Sequence, residues 1–172
     1  TVVNVWAWWC QPGRAELPAV QEFARTHPEY SVVGVHADGN AANGAALLDD
    51  LGVDLPSYQD GSGAFAAAQG LPPVVPVTVV LRGGEQVAVF AREFTSADEL
   101  AEAVEGALLD TVAAAVKKLV VRGKERGYVT YDEFNQALPD SPAVVFAGMN
   151  IGVVVLGVVA AAAVFMTSLK GR

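Results

Sequence analysis

The sequence predicts an α/β domain at the N-terminus, then a short helical segment, and then one apolar helix long enough to cross a membrane. Two observations predict this order. Short β-rich runs alternate with helical patterns over the first part of the chain. Residues 143–169 contain no charged side chain, and Lys170 and Arg172 follow at once. A helix can satisfy its own backbone hydrogen bonds in the hydrocarbon core, which about 20 residues can span.

Composition excludes several classes of protein. With 172 residues, the chain has room for one soluble domain of ordinary size beside the apolar helix. The net charge is -8, and acidic residues are spread along the first part of the chain. Nucleic-acid binding needs a concentrated basic face, so no nucleic-acid partner is expected. A single cysteine excludes any disulfide within the chain.

The first strand and the helix after it follow from their apolar patterns. Residues 2–8 form a near-continuous apolar run, which is typical of a buried parallel strand. A turn is expected at 10–13 and a helix at 15–26. The apolar residues of that helix recur at three-residue spacing, which suits packing on a sheet.

The middle of the domain predicts shorter elements. A second strand is expected at 31–36, and a short helix at 45–51 that ends at Gly52. Residues 61–70 favour either another short helix or a turn.

The last two strands, at 77–81 and 86–91, lie on either side of Gly83 and Gly84. Two β-rich runs joined through such a pair predict a hairpin. The predicted order is therefore β-α-β-(α)-β-β-α, with four strands.

A capping box marks the last helix of the domain. Ser96 is followed three residues later by Glu99, and this pair predicts a helix that begins at residue 97 and runs to 109. We therefore place the α/β domain at residues 1–109.

Residues 110–141 are expected to form a helical linker or a small helical module. A basic helix is predicted at 112–124, and Thr130 can cap a second helix at 131–137 before Pro139.

The residues between the first strand and its helix carry a resemblance. Trp9-Cys10-Gln11-Pro12, together with Val75-Pro76-Val77-Thr78 further along, resembles the thioredoxin superfamily, and most closely the TlpA-like, membrane-tethered bacterial thiol-disulfide proteins. The resemblance covers residues 1–109. It implies a thioredoxin-like fold on a minimal four-strand sheet, in which Pro76 is cis and faces the cysteine.

Cys10 is the candidate catalytic nucleophile. A cysteine at a helix N-terminus lies at the positive end of the macrodipole, which favours the thiolate. Pro12 fits the first turn, where a missing N–H costs nothing. The candidates for binding an extended client peptide by strand addition are the neighbours of this turn and of the proline loop. These are Trp9, Gln11, Pro12, Val75 and Pro76.

One departure from the family limits what Cys10 can do. The family carries a second cysteine three positions after the first, and here that position is Gly13. Release of a mixed disulfide needs a resolving thiolate. We expect Cys10 to attack a disulfide without completing the cycle alone. The alternatives are monothiol exchange with an external thiol, thiol sensing, or a domain that has lost catalysis.

Other candidate residues have structural interpretations. We expect Trp6 and Trp8 to lie in the core, and Trp9 to shape a docking surface. Glu16 is expected to be a surface group that complements the helix dipole rather than a proton donor.

No metal site or cofactor is expected. His27 and His36 have no cysteine or carboxylate at a spacing that would complete a metal site.

The helical segment has a resemblance of its own. Residues 112–138 look like the N-terminal regulatory region of bacterial primary sigma factors, a small helical module that lies in the DNA channel of RNA polymerase. The alternatives are a two-helix spacer with a solvated basic face, or a chain joined from two proteins.

The charges around the apolar segment predict its orientation. We expect a transmembrane helix at 142–169 and a cytoplasmic tail at 170–172. The basic residues of the tail and the acidic residues before the span favour a cytoplasmic C-terminus. The domain before it is then extracytoplasmic, on a single-pass protein of the cell membrane.

Two functions follow as expectations. The first is a membrane-anchored thioredoxin-like protein that exchanges thiols or binds clients through its single-cysteine turn. The second is a non-catalytic accessory subunit of a larger bacterial membrane complex, for example a respiratory one. The expected partners are the bilayer, client protein thiols and a membrane complex, since small residues and Asn150 permit close contact between helices in the membrane.

Overall fold

A computed structural model of the protein describes residues 1–137. The predicted membrane helix at 142–169 and the tail at 170–172 lie outside the described residues. Within the described residues, no helix has the length and apolar character needed to span a bilayer. The chain divides into two units between Ala114 and Ala115.

The described residues form five strands and five helices. The strands are β1 (Val2–Trp6), β2 (Val32–His36), β3 (Ser57–Gln59), β4 (Val77–Arg82) and β5 (Glu85–Phe90). The helices are α1 (Gln11–Thr26), α2 (Ala41–Asp50), α3 (Ala64–Ala68), α4 (Ala97–Arg126) and α5 (Tyr131–Ala137).

The strands make one mixed sheet in the order β3-β2-β1-β4-β5. β1 is central, parallel to β2 and antiparallel to β4. The prediction of four strands is wrong, because β3 extends the sheet beside β2. β3 is short and polar, and its Tyr58 is 65% exposed, so it carries no apolar alternation that a sequence pattern could detect.

β1 is buried on both faces, as its apolar run predicts. All five of its side chains are buried. Alternate side chains of a strand point to opposite faces, so Val2 and Trp6 lie in one core, and Val3 and Val5 in the other. α1 and the first part of α4 contribute Leu17, Val20, Phe23, Leu100 and Val104 to the first core.

α1 begins earlier than predicted. The residues expected to form a turn at 10–13 belong to its first turn, and the N–H of Arg14 donates to the carbonyl of Cys10 at 2.9 Å. Pro12 is compatible with this start because the first N–H groups of a helix lack partners within the helix. Cys10 is therefore the N-cap residue.

α2 also starts before its predicted position, at Ala41 instead of Ala45. The side chain of Asn40 accepts a hydrogen bond of 3.1 Å from the N–H of Asn43. Asn40 is therefore the cap of a helix that starts four residues earlier than predicted. The predicted hairpin is confirmed, since Gly83 and Gly84 join β4 to β5 with φ angles of 58° and 85°.

The helices predicted at 97–109 and 112–124 are one helix, α4. Neither glycine nor proline separates the two predicted segments, so the helical pattern has no break. Ser96 caps the helix and accepts the N–H of Glu99 at 3.2 Å, as predicted. The Glu99 carboxylate binds the N–H of Thr95 at 2.9 Å.

In the second unit, the predicted cap at Thr130 is confirmed. The Thr130 hydroxyl accepts the N–H of Glu133 at 3.2 Å, and the Glu133 carboxylate accepts the N–H of Thr130 at 3.1 Å. Glu133 also forms an ion pair with Arg126. Gly127, which follows α4, has a φ of 84°.

Candidate thiol site at the start of helix α1

Cys10 lies where the central strand passes into α1. Its backbone is extended, with φ -86° and ψ 107°, and its N–H donates to the carbonyl of Ala7 at 3.0 Å. The residue is only 8% exposed. The sulfur is therefore at the positive end of the α1 macrodipole, as the sequence predicts.

The loop before β4 brings Val75 and Pro76 to the same place. The Val75–Pro76 peptide bond is cis, as the resemblance implies. The thiol of Cys10 donates a hydrogen bond of 3.2 Å to the carbonyl oxygen of Val75. Cys10 thus lies together with two other predicted site residues, Val75 and Pro76, although a long stretch of chain separates it from them.

Gly13 occupies the position of the missing second cysteine. A Cβ atom added there would lie 3.8 Å from the Cβ of Cys10 and 3.7 Å from the Cβ atoms of Pro76 and Trp6. A Cβ–Cβ separation of about 3.8 Å is the mean value for disulfides. The backbone therefore keeps the geometry of a two-cysteine turn, and only the second thiol is absent.

An apolar groove of about 210 Å³ is lined by Trp9, which precedes Cys10 in the chain, and by Val75, whose carbonyl accepts the Cys10 thiol. Trp9 and Val74 are 56% and 51% exposed, so they are accessible at its surface. Four of the predicted site residues are not among the described residues that line the groove: Cys10, Gln11, Pro12 and Pro76. Gln11 and Pro12 are exposed on the first turn of α1. The lining residues of the groove are Val5, Trp9, Ala37, Ala66, Leu71, Pro72, Pro73, Val74, Val75 and Val77.

Trp9 is held by a carboxylate from the β2–α2 loop. Its indole N–H donates to Asp38 at 3.0 Å, and the N–H of Asn40 donates to the other carboxylate oxygen at 2.7 Å. The Asn40 hydrogen bond first, and the Trp9 indole after it, hold the pKa of Asp38 below its ordinary value. Asp38 thus fixes the exposed Trp9 ring at the groove.

Glu16 contradicts the expectation of a surface group. It is 1% exposed, and it accepts hydrogen bonds from Nδ2 of Asn4 at 2.5 Å and from the N–H of Phe94 at 2.8 Å. Burial raises the pKa of Glu16 to about 7, although both hydrogen bonds act to lower it. A carboxyl group of this kind can hold or release a proton near neutral pH.

The sequence contained a signal for Glu16 that the prediction missed. Glu16 falls on the buried stripe of α1, at helical spacing from Gly13, Val20 and Phe23. Asn4 is likewise polar inside an apolar strand, on the same face as Trp6. Two polar residues on facing apolar surfaces indicate a buried polar pair.

The tryptophans follow the prediction. Trp6 is fully buried in the first core, Trp8 packs partly buried against that core, and Trp9 is exposed. The two histidines have different surroundings. His27 stacks on Phe23 with a centroid distance of 4.7 Å. The ring of His36 lies next to the backbone of residues 8–10, which we call the Cys10 turn.

Solved structures of thiol-disulfide proteins are similar to this chain. A DsbF homologue from Corynebacterium diphtheriae shares 32% identity, with a TM-score of 0.53, over 61% of this chain and 69% of that protein. A secreted thiol-disulfide isomerase from Corynebacterium glutamicum also shares 32% identity, with a TM-score of 0.53, over 62% and 69%. A thioredoxin-related protein from Neisseria meningitidis serogroup B shares 30% identity, with a TM-score of 0.51, over 62% and 82%.

The second part of the chain matches a different family. Residues 110–144 match the sigma-70 factor family, region 1.1, in agreement with the resemblance at 112–138. No curated protein matches the sequence.

The comparisons for the first part agree with the thioredoxin-like fold that the resemblance implies. Identities of 30% and 32% extend over more than two thirds of relatives that share this fold. The chain therefore belongs to the thioredoxin-like family of thiol-disulfide proteins.

Proposed function

We propose that this protein performs monothiol exchange with disulfide-bonded client proteins through Cys10. The observation that carries the proposal is the 3.2 Å hydrogen bond between the Cys10 thiol and the Val75 carbonyl. The sulfur thus lies against the loop that carries the cis Val75–Pro76 bond, and Val75 also lines the apolar groove.

The chemistry needs only one protein thiol for its first step. The Cys10 thiolate attacks one sulfur of a client disulfide, the client S–S bond breaks, and the other client sulfur leaves as a thiolate. An external thiol then attacks the client sulfur of the mixed disulfide. Cys10 leaves as a thiolate, and the client carries the external thiol in a new disulfide. No neighbouring thiol of this chain can take that second role, since Cys10 is its single cysteine.

The groove supports binding of an extended, apolar client segment. Its described lining is made of apolar and aromatic side chains, which favour burial of apolar surface from a partner. The backbone next to Pro76 can offer polar groups to a bound strand, because the Val75 carbonyl lies beside the Cys10 sulfur and ahead of β4. Trp9, Val75 and Pro76 are the proposed contacts, and Gln11 and Pro12 border them on α1.

We also propose that the domain works outside the cytoplasm, anchored by residues 142–169. The support is the uncharged stretch at 143–169 and the basic residues that follow it. The relative from Corynebacterium glutamicum is a secreted protein, which is consistent with this side of the membrane.

The test is turnover of a disulfide peptide by the full chain in mild detergent, with excess glutathione as the external thiol. Turnover that disappears in Cys10→Ser and persists in the Ser62→Ala control supports the proposal. An identical slow background in all three proteins contradicts it.

The absence of a second cysteine favours one alternative, a non-catalytic accessory subunit that uses this fold for docking on a membrane complex. Purification in mild detergent distinguishes the two. Stoichiometric partners that remain bound to Cys10→Ser would support the subunit, and their absence together with thiol-dependent turnover would support exchange.

A further inference from the structure

His36 is the last residue of β2, and its side chain is enclosed although it is polar. The residue is 3% exposed. Its ring packs on the ring of Trp6, with a centroid distance of 4.6 Å. On the α2 side, a Cβ atom added at Gly44 would lie 2.7 Å from Nδ1 of the histidine. The imidazole is therefore held between β1 and α2.

The hydrogen bonds of the ring define its neutral form. Nε2 faces the backbone N–H of Trp8 at 3.4 Å, and Nδ1 faces the side-chain oxygen of Gln59 at 3.0 Å. The amide of Gln59 is oriented by its NH₂ group, which donates to the carbonyl of Asp38. An amide oxygen only accepts, so Nδ1 carries the hydrogen and Nε2 presents its lone pair to Trp8.

The end of β2 supports the Cys10 turn at three successive residues. The N–H of Ala37 donates to the carbonyl of Trp6 at 2.8 Å. His36 accepts from the N–H of Trp8, and Asp38 accepts from the indole of Trp9. Of these three supports, the imidazole is the one whose nitrogen changes from an acceptor to a donor when it takes up a proton.

We infer that His36 is a positioning residue, and that its protonation state controls how firmly the Cys10 turn is held in place. This inference rests on the proposed function. A protonated imidazole carries N–H groups at both nitrogens. Nε2–H then faces the N–H of Trp8, so an attractive contact becomes a contact between two donors. The hydrogen bond from Nδ1 to Gln59 persists, because Nδ1 is a donor in both states. The Trp8–Cys10 backbone loosens, and the sulfur loses its fixed place against Val75.

The charged groups around the His36 ring do not replace the hydrogen bond between Nε2 and the N–H of Trp8. Asp38 on the β2–α2 loop is engaged with Trp9 and Asn40. Asp60, which follows β3, uses its carboxylate to bind the N–H groups at the start of α3. β1 has no titratable side chain, and the first turn of α2, which carries Gly44, has none either.

The first experiment uses nuclear magnetic resonance on the full chain in mild detergent, with Cys10→Ser to remove thiol chemistry. The His36 ring, the Trp8 amide and the Trp9 indole are followed from about pH 8 to about pH 5. We expect the Trp8 amide to shift with the midpoint of the His36 ring. The shift should persist when His27→Gln is added and vanish when His36→Gln is added. Glutamine at 36 can accept a hydrogen bond but does not titrate.

If His36→Gln fails to fold, the pH titration can still be read in His27→Gln, because His36 is the single histidine of that variant. A Trp8 amide that stays fixed while the ring titrates overturns the inference. So does a His36 ring that remains neutral down to about pH 5.

The second experiment measures the rate at which Cys10 reacts with a small aromatic disulfide, corrected for the thiolate fraction from its ultraviolet absorbance. In the wild type, the corrected rate should fall about three- to ten-fold on acidification, the size expected from the loss of one hydrogen bond. It should stay level in His36→Gln. A level wild-type profile overturns the link to reactivity. If Cys10 reacts at no pH, the proposed function fails, while the magnetic resonance experiment still decides whether His36 controls the turn.

Discussion

The carboxylate of Glu16 on α1 accepts a 2.5 Å hydrogen bond from the amide of Asn4 on the central strand. The other carboxylate oxygen accepts the N–H of Phe94, and no described residue donates a hydrogen bond to Oδ1 of Asn4. An acid enclosed in this way is favoured in its neutral form, because burial disfavours the charge.

Glu16 should make the stability of the domain depend on pH. Its pKa is about 7 in the folded protein, above the ordinary value of 4.5. The folded state therefore binds the proton more tightly, and stability falls as pH rises from about 4.5 to about 7. The full shift corresponds to about 3 kcal/mol. Glu16→Gln keeps an acceptor for Phe94 but does not ionise, so it should raise the free energy of unfolding at pH 8 by about 1–3 kcal/mol and flatten its pH dependence.

Urea unfolding at pH 5 and pH 8 measures this effect. Glu102→Gln on the exposed surface of α4 is the matched control and should leave the pH profile unchanged. A wild type that is equally stable at both pH values would contradict the assignment of Glu16.

Gly13→Cys should create a dithiol site. The added Cβ would lie 3.8 Å from that of Cys10, so the two thiols can form a disulfide without backbone movement. We expect oxidation to remove two hydrogens, seen by mass spectrometry, and turnover to require less external thiol than in the wild type. Gly13→Ala fills the same space without sulfur and should retain wild-type behaviour. A Gly13→Cys protein that stays reduced under oxidising glutathione would show that the turn is distorted.

Val74→Asp should weaken client binding without unfolding the domain. Val74 lines the apolar groove and is 51% exposed, so the substitution places a charge where an apolar client segment would be buried. We expect about ten-fold weaker binding of an apolar peptide and a change in unfolding free energy of about 0.5 kcal/mol or less. Leu109→Asp, at a position 68% exposed on α4, is the control. Equal affinity of both variants, measured by calorimetry, would place the client elsewhere.

Gly44→Ala should destabilise the domain. Its Cβ would lie 2.7 to 3.0 Å from three atoms of the His36 ring, which is too close without displacement of the ring. Overpacking of this kind costs about 1–3 kcal/mol. Gly106→Ala is the matched control, because Gly106 is also helical and, within residues 1–137, no other side chain or loop lies within 4 Å of the added Cβ. It should stabilise the domain by about 0.5–1 kcal/mol. Thermal unfolding of both variants, with melting temperatures moving in opposite directions, checks the prediction.

Features with local causes were predicted from the sequence. The position of Cys10 at the start of α1, the Gly83–Gly84 hairpin and the caps at Ser96 and Thr130 depend on residues that are near one another in the chain. The cis bond before Pro76 came from the family resemblance, and no local pattern would have predicted it.

The missed features depend on distant partners. β3 forms because its backbone pairs with β2, and its own side chains give no apolar pattern. Glu16 is buried because Phe94, far along the chain, closes over it. The environment of His36 needs β1, α2 and β3 together, whereas its sequence neighbours show only that it ends a strand.

The glycine at position 13 has a practical consequence. To capture the clients of a two-cysteine enzyme, biochemists replace the cysteine that releases them, so that the covalent complex accumulates. In this sequence Gly13 already stands at the position of that second cysteine, and Cys10 is the single cysteine. Under the proposed function, complexes formed in cells survive until an outside thiol reaches them, and non-reducing electrophoresis of the unaltered protein retrieves its clients directly.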